Sequence, residues 1–196
     1  MKLPIIYLLR HGQTEWNVQE RYQGQLDSPL TEKGEAQAQA NALKLSKYID
    51  VKKVKFFSSP LGRAKATAEI IARLHGMKSS EIIFSEAIQE FNYGIFEGHT
   101  KVYCKTQYAN EFLAREANKF DYLIEGGESY AKVHERLCHW LESIQHEKVI
   151  VVVAHEMVNR VLRGIYCNLK KEEMLLLRQA NDVLLKLENG SETILN

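Results

Sequence analysis

The chain has 196 residues, 45% of them apolar, which is enough to bury a substantial core and fits one globular domain better than two. Its 26 Lys and Arg against 25 Asp and Glu leave a formal net charge of +1, so no global field would hold nucleic acid or an anionic membrane. The three cysteines, Cys104, Cys138 and Cys167, lie far apart without CxxC spacing, which argues against zinc and disulfide frameworks and for reduced thiols in a cytoplasm. In chain order, the first element is the apolar run from Leu3 to Leu9. It follows Lys2 like a short signal peptide, but it has no small-residue cleavage site and runs directly into Arg10 and His11. Ile5 to Leu9 reads instead as a strand buried on both faces. No other run approaches the roughly 20 apolar residues of a membrane span, so a soluble, cytoplasmic protein is expected.

Thr31 is placed to cap a helix through Ala36, Ala40 and Leu43; the stretch also alternates with period two, and its alanine content decides for helix. Val54 to Phe57 is a second buried strand. Ser59 as N-cap and Pro60 at the first helical position then predict a helix with Leu61, Ala64, Ala68 and Ile71 on one face. Ile82 to Phe84 is a weaker strand. The segment from about 97 to 127 carries Tyr108, Phe112 and Phe120 and is expected to pack as a cap. Ser129 precedes a helical stripe of Val133, Leu137, Trp140, Leu141 and Ile144. Val149 to Ala154 is the strongest strand, followed by the stripe Val158, Val161, Leu162 and Ile165. Val183 to Leu187 is a last, weaker strand. Strands alternating with helices predict an α/β fold of one domain, residues 1–196, as a three-layer α/β/α sandwich around a mostly parallel sheet.

Ligands of such sheets sit beyond the carboxyl ends of the strands. The first strand ends at Arg10-His11 and the strongest, "VIVVVAHE", ends at His155. A third ends at "FFSSPLGRAKATA", which puts Arg63 in the first turn of a helix whose free N–H groups favour an anion. Two arginines and two histidines thus converge on one crevice. They would repel one another without an anion between them, and a phosphoryl group suits the forked guanidinium.

With these residues in place, the chain resembles the histidine phosphatase superfamily, in the branch containing cofactor-dependent phosphoglycerate mutase and related phosphatases. The matching blocks are "LRHGQTEWN" (9–17), "DSPLTEKGEAQA" (27–38), "SSPLGRAKATA" (58–68), "IQEFNYGIFEG" (88–98), "GGES" (126–129) and "VAHEMVNRVLRG" (153–164). They follow the family's order over most of the chain. The resemblance implies a phosphoglycerate mutase-like fold with His11 as nucleophile, Arg10, Arg63 and His155 binding the phosphoryl group, and Glu90 as proton donor. It implies that Asn17 contacts a phosphoryl oxygen. Gly12 would let the chain pass closely around the nucleophile and is counted with the substrate-binding residues.

The implied chemistry is coherent. A neutral imidazole attacks phosphorus in line, and a phosphohistidine splits one hard displacement into two easier ones. Fixed cations neutralise the equatorial oxygens, so neither metal nor cofactor is expected. Glu90 must hold a proton near neutrality, and Phe91 and Tyr93 beside it supply apolar burial that would raise its pKa. The expected partner is a small phosphorylated metabolite, and the expected assembly a monomer or homodimer. Trp16 suits either substrate stacking or the core. His75, His99, His134, His139 and His146 are expected at surface or structural positions.

Other chemistries fail on spacing. A cysteine-dependent phosphatase needs arginine six residues after the cysteine, but Asn110, Ile144 and Glu173 stand there. "GESYA" lacks the last glycine of a nucleophile elbow, and there is no Walker A loop. Two departures from the family bear on function. Glu156 replaces the glycine that usually follows the second histidine; it is expected to point outward and complement a helix N-terminus, whereas an inward carboxylate would weaken phosphate binding. The segment between Glu90 and His155 is shorter than in the mutases, which favours water access and hydrolysis. The expected activity is a metal-independent phosphomonoesterase acting on a small molecule. A phosphoglycerate mutase, or a weakly catalytic relative that binds phosphorylated ligands or proteins, remains as an alternative.

Overall fold

A computed structural model describes residues 3–196. In chain order the elements are β1 (Ile5–Arg10), α1 (Glu15–Val18), α2 (Glu32–Ser46), β2 (Lys55–Ser58), α3 (Gly62–Leu74), β3 (Ile82–Phe84), α4 (Lys101–Gln107), α5 (Ala109–Ala117), α6 (Tyr130–Ser143), β4 (Val149–Ala154), α7 (Glu156–Tyr166), α8 (Lys171–Leu176), β5 (Leu184–Glu188) and β6 (Ser191–Leu195). The strands form one sheet in the order β3-β2-β4-β1-β5-β6. β1 to β4 are mutually parallel; at one edge β5 runs antiparallel to β1, and β6 antiparallel to β5.

The continuous apolar runs are explained by two cores. Ile6 and Leu8 of β1, with Ile150, Val152 and Ala154 of β4, face a core completed by Val133, Leu137 and Leu141 of α6 and Val158, Val161 and Leu162 of α7. The alternate residues Tyr7, Leu9, Val151 and Val153 face a second core built on Ala42 and Leu45 of α2 and on Ala64, Ala68 and Ile71 of α3. A strand with helices on both faces has no solvated side, so neither set of alternating positions can be polar. This is the expected three-layer sandwich. Each fully buried Ile or Leu contributes roughly 1.5–3 kcal/mol over an exposed one.

Thr31 caps α2 by accepting from the Gly34 amide, and Ser129 caps α6 by accepting from that of Lys132, as expected. The start of α3 differs from the prediction. Its N-cap is Leu61, with no side-chain cap of its own, and the first helical residue is Gly62 rather than Pro60. The Asp27 carboxylate, from a distant loop, accepts instead from the amides of Gly62 and Arg63. The Ser59 hydroxyl accepts only a long 3.3 Å bond from the Leu61 amide and takes a second partner, described below. β6 was not anticipated; it pairs with β5 through a turn at Asn189-Gly190, both at positive φ. The cap segment folds as α4 and α5, with Tyr108 and Phe112 ringed about Phe96 at centroid distances of 5.9 and 6.5 Å. Among the described residues, no helix is long and apolar enough to cross a membrane.

Candidate active site

β1 and β4 are adjacent and in register, with Arg10 opposite Ala154, so the residues that follow, His11 and His155, emerge side by side. Their ring centroids lie 5.2 Å apart. Beside them, at the carboxyl ends of the parallel strands, opens a cavity of about 650 Å³ lined by Arg10, His11, Asn17, Arg63 and Glu90 among others. The fold therefore gathers there five of the residues singled out from sequence.

His11 is buried, and its Nδ1 lies 2.7 Å from the Gly12 carbonyl oxygen. A carbonyl only accepts, so Nδ1 carries the proton and Nε2 keeps its lone pair. Burial, and then the positive charges of Arg63 and Arg10, hold the ring well below the usual imidazole value, hence neutral. His155 lies behind it, fully buried and outside the cavity wall, at the N-cap of α7. Its Nε2 shares a 2.8 Å hydrogen bond with the Ser59 hydroxyl, and Nδ1 has no partner among the described residues. Burial and Arg63 lower its pKa as well.

Arg63 is held from three sides. Its guanidinium donates to the carbonyls of Leu26 and Gly24, each at 2.7 Å, and to Asp27 Oδ1 at 2.8 Å, leaving a buried Nε without a partner among the described residues. Arg10 donates to the Gln179 carbonyl at 2.8 Å, and its Nε likewise has no partner among the described residues. Glu90 is buried beneath the N-terminus of α7. Its Oε1 accepts from Phe91 and Val158 amides at 2.9 and 3.2 Å, and Oε2 accepts only a long 3.4 Å bond from Met157. Burial raises its pKa against the opposing pull of those amides and of Arg63 and Arg10. Oε2, weakly engaged, is the oxygen on which a proton fits.

Asn17 lines the cavity. Its Oδ1 accepts from the Thr14 amide in a capping box, so its Nδ2 is left as a donor. Gly12 does not line the cavity. Its amide donates to the Thr67 hydroxyl at 3.0 Å, and a Cβ there would collide with the Gly34 carbonyl. Gly12 thus serves the close approach of β1's end to α2 rather than ligand binding. Glu156 is the clearest departure from expectation. It points inward, lines the cavity and pairs with Arg10 at 3.0 Å, because the arginines of α7 and of the loop after α8 draw it there. Trp16 is not part of the cavity lining, and neither are the five histidines assigned to surface or structure. Sequence reading missed Asp27, Arg115 and Arg160; only Asp27 and Arg160 fall within matched blocks.

Among the described residues, no group of three or more His, Cys, Asp or Glu is placed to hold a metal ion. Sequence comparison finds 36% identity over 180 residues with a probable 2-carboxy-D-arabinitol-1-phosphatase of Arabidopsis thaliana, covering 90% of this chain and 36% of that protein. Phosphoserine phosphatase 1 of Hydrogenobacter thermophilus is 35% identical, over 84% of this chain and 75% of its own length. The probable phosphoglycerate mutase GpmB of Escherichia coli is 38% identical over 70% of this chain and 61% of its own length. The chain thus spans only about a third of the plant relative and less than two thirds of the mutase. A mycobacterial glucosyl-3-phosphoglycerate phosphatase complexed with VO3 superposes with a TM-score of 0.82 at 26% identity, covering 97% of this chain and 96% of that one. The model of the histidine phosphatase superfamily (branch 1) matches residues 6–194, and with its histidine pair and flanking arginines at adjoining strand ends the chain belongs to that superfamily.

Proposed function

We propose that this chain is a metal-independent phosphatase of small phosphomonoesters that works through a phosphohistidine on His11. The observation that carries this reading is the tautomer of His11: Nδ1 is committed to the Gly12 carbonyl, so the lone pair of Nε2 is available to a phosphorus atom. Nε2 attacks in line, the N–P bond forms, and the ester P–O bond breaks. Arg10, Arg63 and Asn17, which line the cavity, stabilise the charge on the transferring oxygens, and His155 packs against His11 from outside the cavity wall. Glu90 delivers its proton from Oε2 to the departing alkoxide. As a carboxylate it then takes a proton from the water that displaces His11 from phosphorus, and inorganic phosphate leaves.

Hydrolysis rather than transfer is favoured because the exposed Lys101 and Arg178 rim the cavity, giving water a path to the phosphohistidine. Reduced thiols on Cys104, Cys138 and Cys167 suit a cytoplasmic setting. The test is phosphate release from a panel of monoesters, run beside an enolase-coupled assay with 3-phosphoglycerate and catalytic 2,3-bisphosphoglycerate. Phosphate release is expected to be far faster, with acid-labile label on the parent protein and none on His11→Ala. A coupled assay outrunning release from every ester would replace this reading with a mutase; label on serine or aspartate would end it.

A further inference from the structure

Of the residues assigned to the chemistry, Glu90 alone lies away from the ends of the strands and helices named above. It sits in the irregular segment between β3 and α4, where neither a sheet nor a long helix fixes the main chain. Its Oε1 is anchored by the Phe91 and Val158 amides, but Oε2 accepts only the long bond from Met157, so the aim of Oε2 depends on where the main chain places the residue. A displacement of about 1 Å in a catalytic group can cost on the order of 10²-fold in rate. The segment needs support from elsewhere.

Arg136, in the middle of α6, supplies it on one side. Its Nη1 donates to the Ala87 carbonyl at 2.6 Å and its Nη2 to the Gln89 carbonyl at 2.8 Å. The other edge of the guanidinium meets Glu128, Nε to Oε1 at 3.0 Å and Nη2 to Oε2 at 3.3 Å, a forked pairing that fixes the plane of the arginine. Glu128 then holds the chain beyond the acid. Its Oε2 accepts from the Asn92 amide at 2.9 Å, and its own amide donates to the Asn92 carbonyl at 2.9 Å.

Glu90 is thus bracketed by one ion pair, through carbonyls that precede it and through both backbone groups of Asn92 that follow it. Neither member of the pair lines the cavity, and their side chains are 22% and 17% exposed. Carbonyls of a surface segment can be satisfied by water; here two of them converge on one rigid guanidinium instead. Glu128 stands in the block "GGES", directly before the α6 cap Ser129, so the clamp is tied to the start of a helix packed in the core.

We infer that Arg136 and Glu128 are positioning residues for the reaction, fixing the backbone on both sides of Glu90 so that its carboxyl meets the leaving-group oxygen. This inference rests on the phosphatase reading above and extends it to a pair outside the cavity.

Single-turnover phosphorylation by glycerol 1-phosphate and by p-nitrophenyl phosphate tests it. Arg136→Ala should slow the alkyl ester at least about tenfold and the nitrophenyl ester less than about threefold, with half-saturation by either ester nearly unchanged. Arg136 also adds to the positive charge that lowers the His155 pKa. Arg136→Lys keeps that charge but not the fork, and should still lose at least about fivefold with the alkyl ester. Glu128→Gln should show the same selectivity between esters, and it serves if the arginine variants fail to fold. In a Glu90→Gln background, Arg136→Ala should cost less than about twofold, because a residue that acts through Glu90 then has nothing left to aim. Equal losses with both esters, parental rates in Arg136→Lys, or an undiminished loss in the Glu90→Gln background overturns the positioning role while leaving the phosphatase standing. Failure of the parent protein to release phosphate from any ester, p-nitrophenyl phosphate included, overturns both.

Discussion

Glu156 Oε2 lies 3.0 Å from Nη1 of Arg10, so a carboxylate touches the guanidinium that flanks His11. Two effects oppose each other there. The negative charge repels an incoming phosphate dianion, and at an effective dielectric near 20 such a repulsion over several ångströms is worth ~2 kcal/mol before solvent screening. The same contact helps hold Arg10, but the Gln179 carbonyl holds it too, at 2.8 Å.

Repulsion should therefore win. Glu156→Gln is expected to tighten inhibition by inorganic phosphate about three- to tenfold, read as the competitive inhibition constant against p-nitrophenyl phosphate. Weaker inhibition would mean that the carboxylate chiefly orients Arg10.

Glu90 should show its role through leaving groups. Glu90→Gln is expected to slow single-turnover phosphorylation by alkyl esters about 10²- to 10⁴-fold, the usual worth of a positioned acid. p-Nitrophenyl phosphate, whose phenolate departs with little help, should lose much less. Equal losses with both esters would remove Glu90 from the proton-transfer step.

Asp27 joins two tasks, capping α3 and pairing the buried Arg63. Asp27→Ala leaves a guanidinium 2% exposed without its counter-charge, and the lost cap adds to the cost. A loss of at least ~2 kcal/mol is expected, which lowers the Tm by at least about 4 °C for a chain of this size. Asp27→Asn, which keeps an acceptor, should fall between. A Tm unmoved by the alanine variant would show that Gly24 and Leu26 carbonyls suffice for Arg63.

Stability should depend on pH through the histidine pair. Both rings are held below the ordinary value of 6.5 by burial and by Arg63, so unfolding takes up protons below that pH. Their contribution is present above pH 6.5 and is lost as the pH falls toward the lowered values. Glu90, raised above 4.5, acts in the opposite sense: its contribution is present below 4.5 and is lost as the pH rises through its raised value. Two histidines outweigh one carboxyl, so the Tm should drop between pH 6.5 and about 5. Inorganic phosphate should lessen the drop by pairing with the protonated rings. Thermal scans across that range with and without phosphate read this directly; a Tm constant down to pH 5 would mean that the pair titrates normally.

The strands β1, β2 and β4, the helices α2, α6 and α7, and the placing of Arg10, His11, Arg63 and His155 at strand or helix ends were all legible in the sequence. Apolar runs, cap residues and helical spacing are local signals, and each of these elements is determined within a few residues of itself. Of the edge hairpin only its first strand, β5, was read; β6 opens with three exposed polar residues and has little apolar pattern to mark it. What only the tertiary structure decided are relationships between distant segments. Ser59 looks like a helix cap, yet Asp27 caps α3 from more than thirty residues away, and the serine hydroxyl turns to His155. Glu156 looks like a solvated first-turn acid, yet Arg10, Arg160 and Arg178 converge on it from β1, α7 and the loop after α8. Charge pairing acts through space and leaves no periodicity along the chain, so the sign and aim of a side chain are settled only when the layers close around it.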